Sequence, residues 1–551
     1  MSTDYSIVRQ DRFIEATRDS GYKGTDSALS ELIDNSIQAQ ATAVAIEFIT
    51  VETENDGPGR IKQPRVVEVM IADNGRGMDS ETLRRSLRFG DSTRFNDRTS
   101  LGRFGMGLPN ASVSQCRRVE VYSWRRGSKP LHTYIDVDDV ARGELSEVPE
   151  PDEVEIPAPY AHRTDSPSGT LVVWKKCDRI DHDAKADTLV RDLRSSLGRI
   201  FRYFLIRDFN LTINGTRVGP FDPLYLMPQA RLDGDSLATK HGETLKFELP
   251  IPGKPDQTSV VEVTFSLLPE EWHTKYSDTK KKDQKRGNHD RQIDATAGFS
   301  IVRAWREIDL IASPYRKAHH LHRWYRVEIR FEPELDEMFG VTHTKQHARI
   351  VPGTDLSNRM ESIIKANETT LIDTIYGWTQ RAAAARDSGP SRAEEIAKRL
   401  AGQLKPVEGL AEKPASEVAD EIAAFVQERV AAGVPPEAVE QLDTRLSQCP
   451  VIIELEQLPG APLYRTRTVG QTIVVMLNIE HPFYGRVYQR LEQDSPLGKT
   501  GVDLLLMSLA RSEIVGSDEA REWYDAQRQE WSQNLKVFTS QLPEPDSRSG
   551  K

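Results

Sequence analysis

Residues 28–48 read ALSELIDNSIQAQATAVAIEF, and two hydrophobic periods meet inside them. Leu29, Leu32, Ile33, Ile37 and Ala41 recur at helical spacing, and AVAIEF then continues as a strand. Within the helix Glu31 and Asn35 stand four residues apart, which sets both side chains on one face. A carboxylate beside an amide suits one task. The Glu orients and deprotonates a water while the Asn oxygen ligates a hard cation such as Mg²⁺. Taken alone, the pair also fits a solvated helix face with a turn-favouring Asn.

Two further blocks follow downstream. RVVEVMIADNG (65–75) alternates as a strand and ends in a tight turn, with Asp73, Gly75 and Gly77 at its close. A carboxylate there can accept the exocyclic amine of adenine. Gly75 and Gly77 let a flat base lie against the turn, and Met78 covers it. A plain Asp-Asn-Gly turn is the competing reading. DSETLRRSLRFG (79–90) reads as a short helix capped by Asp79 or Ser80 and stopped by Gly90. The third block is RFGDSTRFNDRTSLGRFGMGLPNAS (88–112). A polar stretch with Ser92, Thr93 and Arg94 runs into Gly102, Gly105 and Gly107, and a helix begins near Leu108. Glycine N–H groups and a helix N-terminus cradle phosphates, and residues 91–101 can close over a nucleotide as a lid.

Taken together these blocks resemble the GHKL ATPases: gyrase B, the heat-shock chaperones of that class, histidine kinases and MutL. The signature is Glu31…Asn35, then Asp73-Asn74-Gly75-Arg76-Gly77, then Gly102-Arg103-Phe104-Gly105-Met106-Gly107, then Gly169-Thr170. The resemblance implies an α+β fold: an N-terminal Bergerat two-layer sandwich followed by an S5-like second domain. It implies ATP as substrate and Mg²⁺ as cofactor, the metal held by Asn35. It also implies nucleotide contacts from Asp73, Gly75, Gly77, Met78, Ser92, Thr93, Gly102, Arg103, Phe104, Gly105, Met106, Gly107 and Leu108. Thr170 would help hold a water on the adenine beside Asp73. Histidine kinases of the class lack the Glu that stands here at 31, so hydrolysis is expected over phosphotransfer. GTLVVWKK and FGVTHTKQHARI (339–350) are most similar to the prokaryotic MORC and MutL-like branch. Lys345 matches the lysine that a second domain sends to the γ-phosphate. The branch implies a homodimeric clamp acting on DNA, with antiviral defence among its uses. A chaperone-like clamp on a protein partner is the alternative.

The whole chain has 551 residues, long enough for several domains. The segments expected are an ATP-binding domain at 1–250, the S5-like domain at 251–352, a helical region at 353–444 and a mixed α/β region at 445–551. SVVEVTFSLLP (259–269), ATAGFSIVRAWREIDL (295–310) and RWYRVEIRFEP (323–333) supply the second domain's strands. Lys and Arg total 73 against 84 Asp and Glu, a net charge of −11, which excludes a surface coated by nucleic acid. The basic loop 275–291 is still a candidate contact for duplex DNA. Cys116, Cys177 and Cys449 lie far apart in sequence and read as buried thiols. His319, His320 and His322 read as a solvated loop before a metal cluster. IEHPFYGRVYQRL (479–491) reads as a strand–turn–helix packing corner, with a dimer contact as the alternative. GVDLLLMSLA (501–510) is too short to span a bilayer, and with no apolar leader at the start the expectation is a cytoplasmic protein without a membrane partner.

Overall fold

Strand β2 (Gln63–Asp73) lies between two apolar layers. Val69 and Ile71 join one core while Met70 and Ala72 join another, as the period of two requires. β3 (Cys116–Trp124) and β6 (Gly169–Cys177) do the same. Val121, Val172 and Trp174 face the larger core; Tyr122, Leu171 and Val173 face the smaller. The computed structural model describes residues 9–22, 24–53, 63–90, 107–163, 165–181, 186–273, 290–315, 320–341, 348, 355–386, 391–407, 410–432, 436–458, 460 and 462–542. They form two units: Met1–Pro269 with Arg286–Leu371, and Glu270–Lys285 with Ile372–Lys551.

In the first unit, β1 (Ala43–Thr53), β4 (Leu131–Asp136), β5 (Asp152–Glu153), β7 (Asn210–Ile213) and β8 (Thr216–Arg217) complete an eight-stranded sheet. Its order is β5-β4-β3-β6-β2-β1-β7-β8, antiparallel except for the parallel pair β1–β7. Helices α1 (Gln10–Ser20), α2 (Thr25–Gln38), α3 (Ser80–Ser86), α4 (Gly107–Gln115), α5 (Val137–Arg142) and α6 (Ala186–Ile200) all send apolar residues into the larger core. This is a two-layer sandwich. The far face of the sheet carries the smaller cluster, closed by Tyr160 with Val154 and Ile156.

Two local readings differ from expectation. The helix begun at Asp79, whose carboxylate caps the Thr82 N–H at 2.9 Å, ends at Ser86 rather than running to Gly90. DTLVRDLRSSLGRIFRYFLI (187–206), which by its sequence reads as helical throughout, breaks at Phe201, leaving a short α7 (Arg202–Leu205). Cys116 and Cys177, distant in sequence, sit directly opposite each other on β3 and β6 as free buried thiols. Burial pushes both thiols up, Cys177 to about 12, so neither is an activated nucleophile.

A second sheet in the same unit runs β10-β11-β14-β12-β13: β10 (Leu245–Ile251), β11 (Lys254–Leu267), β12 (Gly298–Arg303), β13 (Arg306–Ile311) and β14 (Tyr325–Phe331), with β9 (Thr239–Lys240) on β11. Residues 295–310, expected to supply strand, hold two strands joined as a hairpin, β12 with β13. It turns at Ala304 and Trp305, whose φ angles are 47° and 67°. Helix α8 (Asp355–Arg386) receives the Tyr325 hydroxyl on Glu368 at 2.7 Å.

In the second unit, β15 (Val451–Glu456), β16 (Tyr464–Val469) and β17 (Thr472–Asn478) form a sheet of order β15-β17-β16. The central β17 is buried along its whole length. Helices α10 (Ala415–Ala431) and α11 (Pro436–Gln448) cover one face with Ile422, Phe425, Leu442 and Leu446. The other face takes Ala393 of α9 (Arg392–Arg399), Leu506, Met507 and Ala510 of α13 (Pro496–Val515), and Trp531 of α14 (Asp518–Ser540). A π-helical turn at Tyr484–Tyr488 leads into α12 (Gln489–Asp494). There His481 is buried against the Ser532 carbonyl at 3.0 Å, and Tyr488 donates to Asp503 at 2.6 Å, so this segment is a packing corner.

Candidate functional site

Helix α2 presents the first site residues, and its entry is fixed from outside. The Thr25 N–H donates to the Asp181 carboxylate at 2.6 Å, satisfying a free helix-end donor, and the Thr25 hydroxyl reaches Gln115 of α4 at 2.9 Å. Leu29, Leu32 and Ile33 hold the helix on the sheet. Glu31 is only 4% exposed although it is a carboxylate. It lies against Gly107, the first residue of α4: a Cβ there would fall on the Glu31 carboxylate, so only glycine fits. The Tyr22 hydroxyl bonds to Glu31, and burial followed by the Glu31 charge holds this phenol far above its ordinary pKa, so it stays a donor. Asn35 lies one turn further on the same helix, partly exposed.

Asp73 closes β2, with Val44 opposite it on β1 and Thr170 opposite it on β6. Its two oxygens are used separately. Oδ1 accepts from the Gly75 N–H at 2.8 Å, and Oδ2 accepts from the Ser36 hydroxyl at 3.0 Å. Burial raises the pKa of this carboxyl; the Gly75 N–H, Ser36 and the Thr170 N–H pull it partly back. Gly75 has no room for a side chain, since a Cβ would lie 2.9 Å from both the Ala39 Cβ and Asp73 Oδ1. Gly77 has φ 68°, and a Cβ there would strike the Trp124 carbonyl. Asn74 fastens the turn by accepting from the Thr42 and Ala43 N–H groups, each at 2.9 Å.

Ser123 on β3 joins the remaining pieces. Its oxygen accepts from the Met78 N–H at 2.9 Å and lies 3.1 Å from the Thr170 hydroxyl. The turn carrying Met78 is thereby tied to the strand carrying Thr170, and both border Asp73. Met78 and Leu108 pack partly into the larger core.

The structure thus brings Glu31 and Asn35 of α2, Asp73 of β2 with Gly75, Gly77 and Met78 of its turn, Gly107 and Leu108 of α4, and Thr170 of β6 together on four adjoining elements. Ser92, Thr93, Gly102, Arg103, Phe104, Gly105, Met106 and Lys345 lie outside the described residues, as does 275–289 of the basic loop. Arg291, the last cation of that loop, forms a two-pronged pair with Asp235 at 2.8 and 2.6 Å. Sequence reasoning missed Tyr22, Ser36, Ser123 and Arg306. Arg306 comes from the second sheet, with Nε 3.2 Å from Asp34 Oδ2 on α2. Ser36 was visible as a polar residue inside the apolar face of α2. Ser123 depends on strand register and Arg306 on tertiary packing, and neither leaves a local pattern.

The donor set fits an adenine nucleotide with a hard cation. A raised, accepting carboxylate stands beside a side-chain-free turn, and an amide oxygen stands beside a buried carboxylate. Residues 22–170 match the family profile described as "Histidine kinase-, DNA gyrase B-, and HSP90-like ATPase". The chain therefore carries an N-terminal GHKL-type ATPase domain. A solved structure described as "Crystal Structure of N terminal domain of a DNA repair protein" is similar at 13% identity, over 66% of this chain and 97% of that one, with a TM-score of 0.37. That likeness identifies no branch of the family. Comparison with curated proteins finds no match. Among the described residues no helix is long and apolar enough to cross a membrane.

Proposed function

We propose that this GHKL-type domain hydrolyses ATP and that hydrolysis drives a dimeric clamp acting on duplex DNA. The observation that carries the hydrolytic reading is the enclosure of Glu31: a carboxylate only 4% exposed, fixed by Tyr22 and pressed against Gly107. A surface glutamate has no need of such a setting; a general base does. Asp73 accepts the exocyclic amine of adenine, the turn at Gly75 and Gly77 takes the base, and Met78 covers it. Thr170 and Ser123 steady that wall. Asn35 would hold Mg²⁺, which supplies charge neutralisation on the phosphates. Glu31 takes a proton from water as the water oxygen bonds to the γ-phosphorus; the bond from that phosphorus to the β-bridging oxygen breaks, and ADP leaves.

The finer parts of the reading rest on resemblance. Residues 91–107 act as the lid, the second sheet serves as an S5-like transducer, and Lys345 reaches the γ-phosphate. Two chains meet when the lid closes, and lid closure limits the rate. A protein client is the second reading, favoured by the net charge of −11. The test is ATP turnover by the intact chain with and without long duplex DNA, beside Glu31→Ala and Lys345→Ala. Stimulation by DNA that fades as salt rises supports the DNA clamp. Turnover indifferent to DNA at low salt favours the protein client. Equal rates for intact chain and Glu31→Ala would defeat the hydrolytic reading.

A further inference from the structure

Two consecutive residues of the second sheet reach into the ATP-binding domain in different directions. Arg306 and Glu307 open β13, and both are buried, at 5% and 2% exposure. Glu307 accepts from Arg202 of α7 at 2.8 Å and pairs with Arg199 of α6. Arg202 also donates to Glu328 at 2.6 Å and to Ser300 at 2.9 Å, on β14 and β12. Arg306 instead reaches α2, 3.2 Å from Asp34, with its guanidinium 5.9 Å from the Phe201 ring centre. Asp34 is fully buried, three residues after Glu31 and one before Asn35. Tyr22, the donor to Glu31, feels the charges of Glu31, Arg306 and Asp34 together, so these side chains form one cluster.

The turn that delivers Arg306 is strained. Ala304 and Trp305 both take left-handed φ angles, 47° and 67°, without a glycine between them. Such a turn persists where its surroundings hold it. The Trp305 ring lies 4.4 Å from the Arg207 guanidinium and 4.2 Å from that of Arg330, with Tyr203 edge-on at 5.3 Å. The hairpin tip is therefore held by residues of both sheets' domains, and its seating sets where Arg306 stands.

We propose that Arg306 is a positioning residue for ATP hydrolysis: through Asp34 it fixes α2 so that Glu31 faces the attacking water, making turnover depend on the seated hairpin 303–307. This rests on the ATPase reading above. Asp34 needs a counter-charge to stay buried. Without it α2 shifts to expose Asp34 and carries Glu31 with it, and a displacement of ~1 Å costs ~10²-fold in rate. Asp73 is carried by β2 and keeps the Gly75 N–H on Oδ1, so the adenine grip is largely retained even as the Ser36 bond from α2 loosens.

The test uses the full chain and compares kcat for ATP with the affinity for ADP. Arg306→Gln and Asp34→Asn each lower kcat by about 10²-fold with ADP affinity retained. The double variant falls no further, because both changes remove one interaction. Arg306→Lys, which keeps the charge, recovers part of the rate. Glu394→Gln, which breaks the buried 2.7 Å pair with Arg445 in the second unit, lowers the unfolding temperature but leaves kcat intact. A folded Arg306→Gln or Asp34→Asn with the intact chain's kcat overturns the proposal, as does an equal loss in Glu394→Gln. Should both variants fail to fold, Arg306→Lys decides: a lowered kcat with retained ADP affinity supports the role, and an unaltered kcat removes it. No turnover by the intact chain would instead take down the ATPase reading, and this inference with it.

Discussion

Burial works against a charge on Asp73. Its folded pKa is raised, burial outweighing three hydrogen-bond donors, so the folded protein binds this proton more readily than the unfolded chain does. Its contribution to stability is full below the unfolded pKa and is lost as the pH rises through the folded value. Above its folded pKa the ionised group costs stability in exchange for an acceptor. Asp73→Asn is expected to match or exceed the intact chain's unfolding temperature at pH values above the folded Asp73 pKa. That advantage shrinks as the pH falls through the folded Asp73 pKa. The same variant loses about 1.5–3 kcal/mol of adenine affinity, checked by ATP titration beside thermal unfolding. Gly107→Ala makes the complementary point. Its methyl group would fall on the Glu31 carboxylate, so turnover is expected to collapse while the adenine grip remains. Glu31, Asn35 and Asp73 were legible because each sits in a short chemical pattern. Ser123 was not, because only register brings it beside Thr170.

Among elements, the amphipathic α2 and the alternating strands declared themselves, since their apolar periods match the faces they bury. The hairpin at 298–311 did not. Its turn, Ala304-Trp305, lacks the Asn or Gly that marks a two-residue turn, and tertiary contacts of Trp305 override local preference. The break at Phe201 was hidden for a similar reason: α7 is set off so that Arg202 can meet Glu307 and Glu328. Burial alone would push the Arg202 guanidinium down, and the two carboxylates more than reverse it, so it stays charged. Removing one partner leaves buried charge behind. Arg202→Ala is expected to cost about 3–5 kcal/mol of stability, read by urea unfolding of the full chain. Replacing an exposed partner, such as Glu144 beside Arg142, should leave the urea midpoint close to that of the intact chain, because water screens the pair.

For the whole molecule, the sequence pointed to an N-terminal nucleotide domain and a strand-rich successor, and the structure has a sandwich and a second sheet in one unit. The second unit was legible only as helices and strands. No residue pattern announces that α10 and α11 would cover the same sheet as α13, because helix faces do not name their partners. In function, the DNA clamp predicts that turnover rises with long duplex DNA and that binding weakens steeply between low and physiological salt, checked by ATPase assays and salt titration. All of these expectations depend on Glu31 acting as a base inside this pocket. The direct measurement is ATP binding and steady-state hydrolysis by the full chain, with Mg²⁺ and with chelator, beside Glu31→Ala. The account predicts hydrolysis only with Mg²⁺, and a Glu31→Ala protein that binds ATP yet does not hydrolyse it. Undiminished hydrolysis by Glu31→Ala, or an intact chain that takes up no ATP, would contradict it.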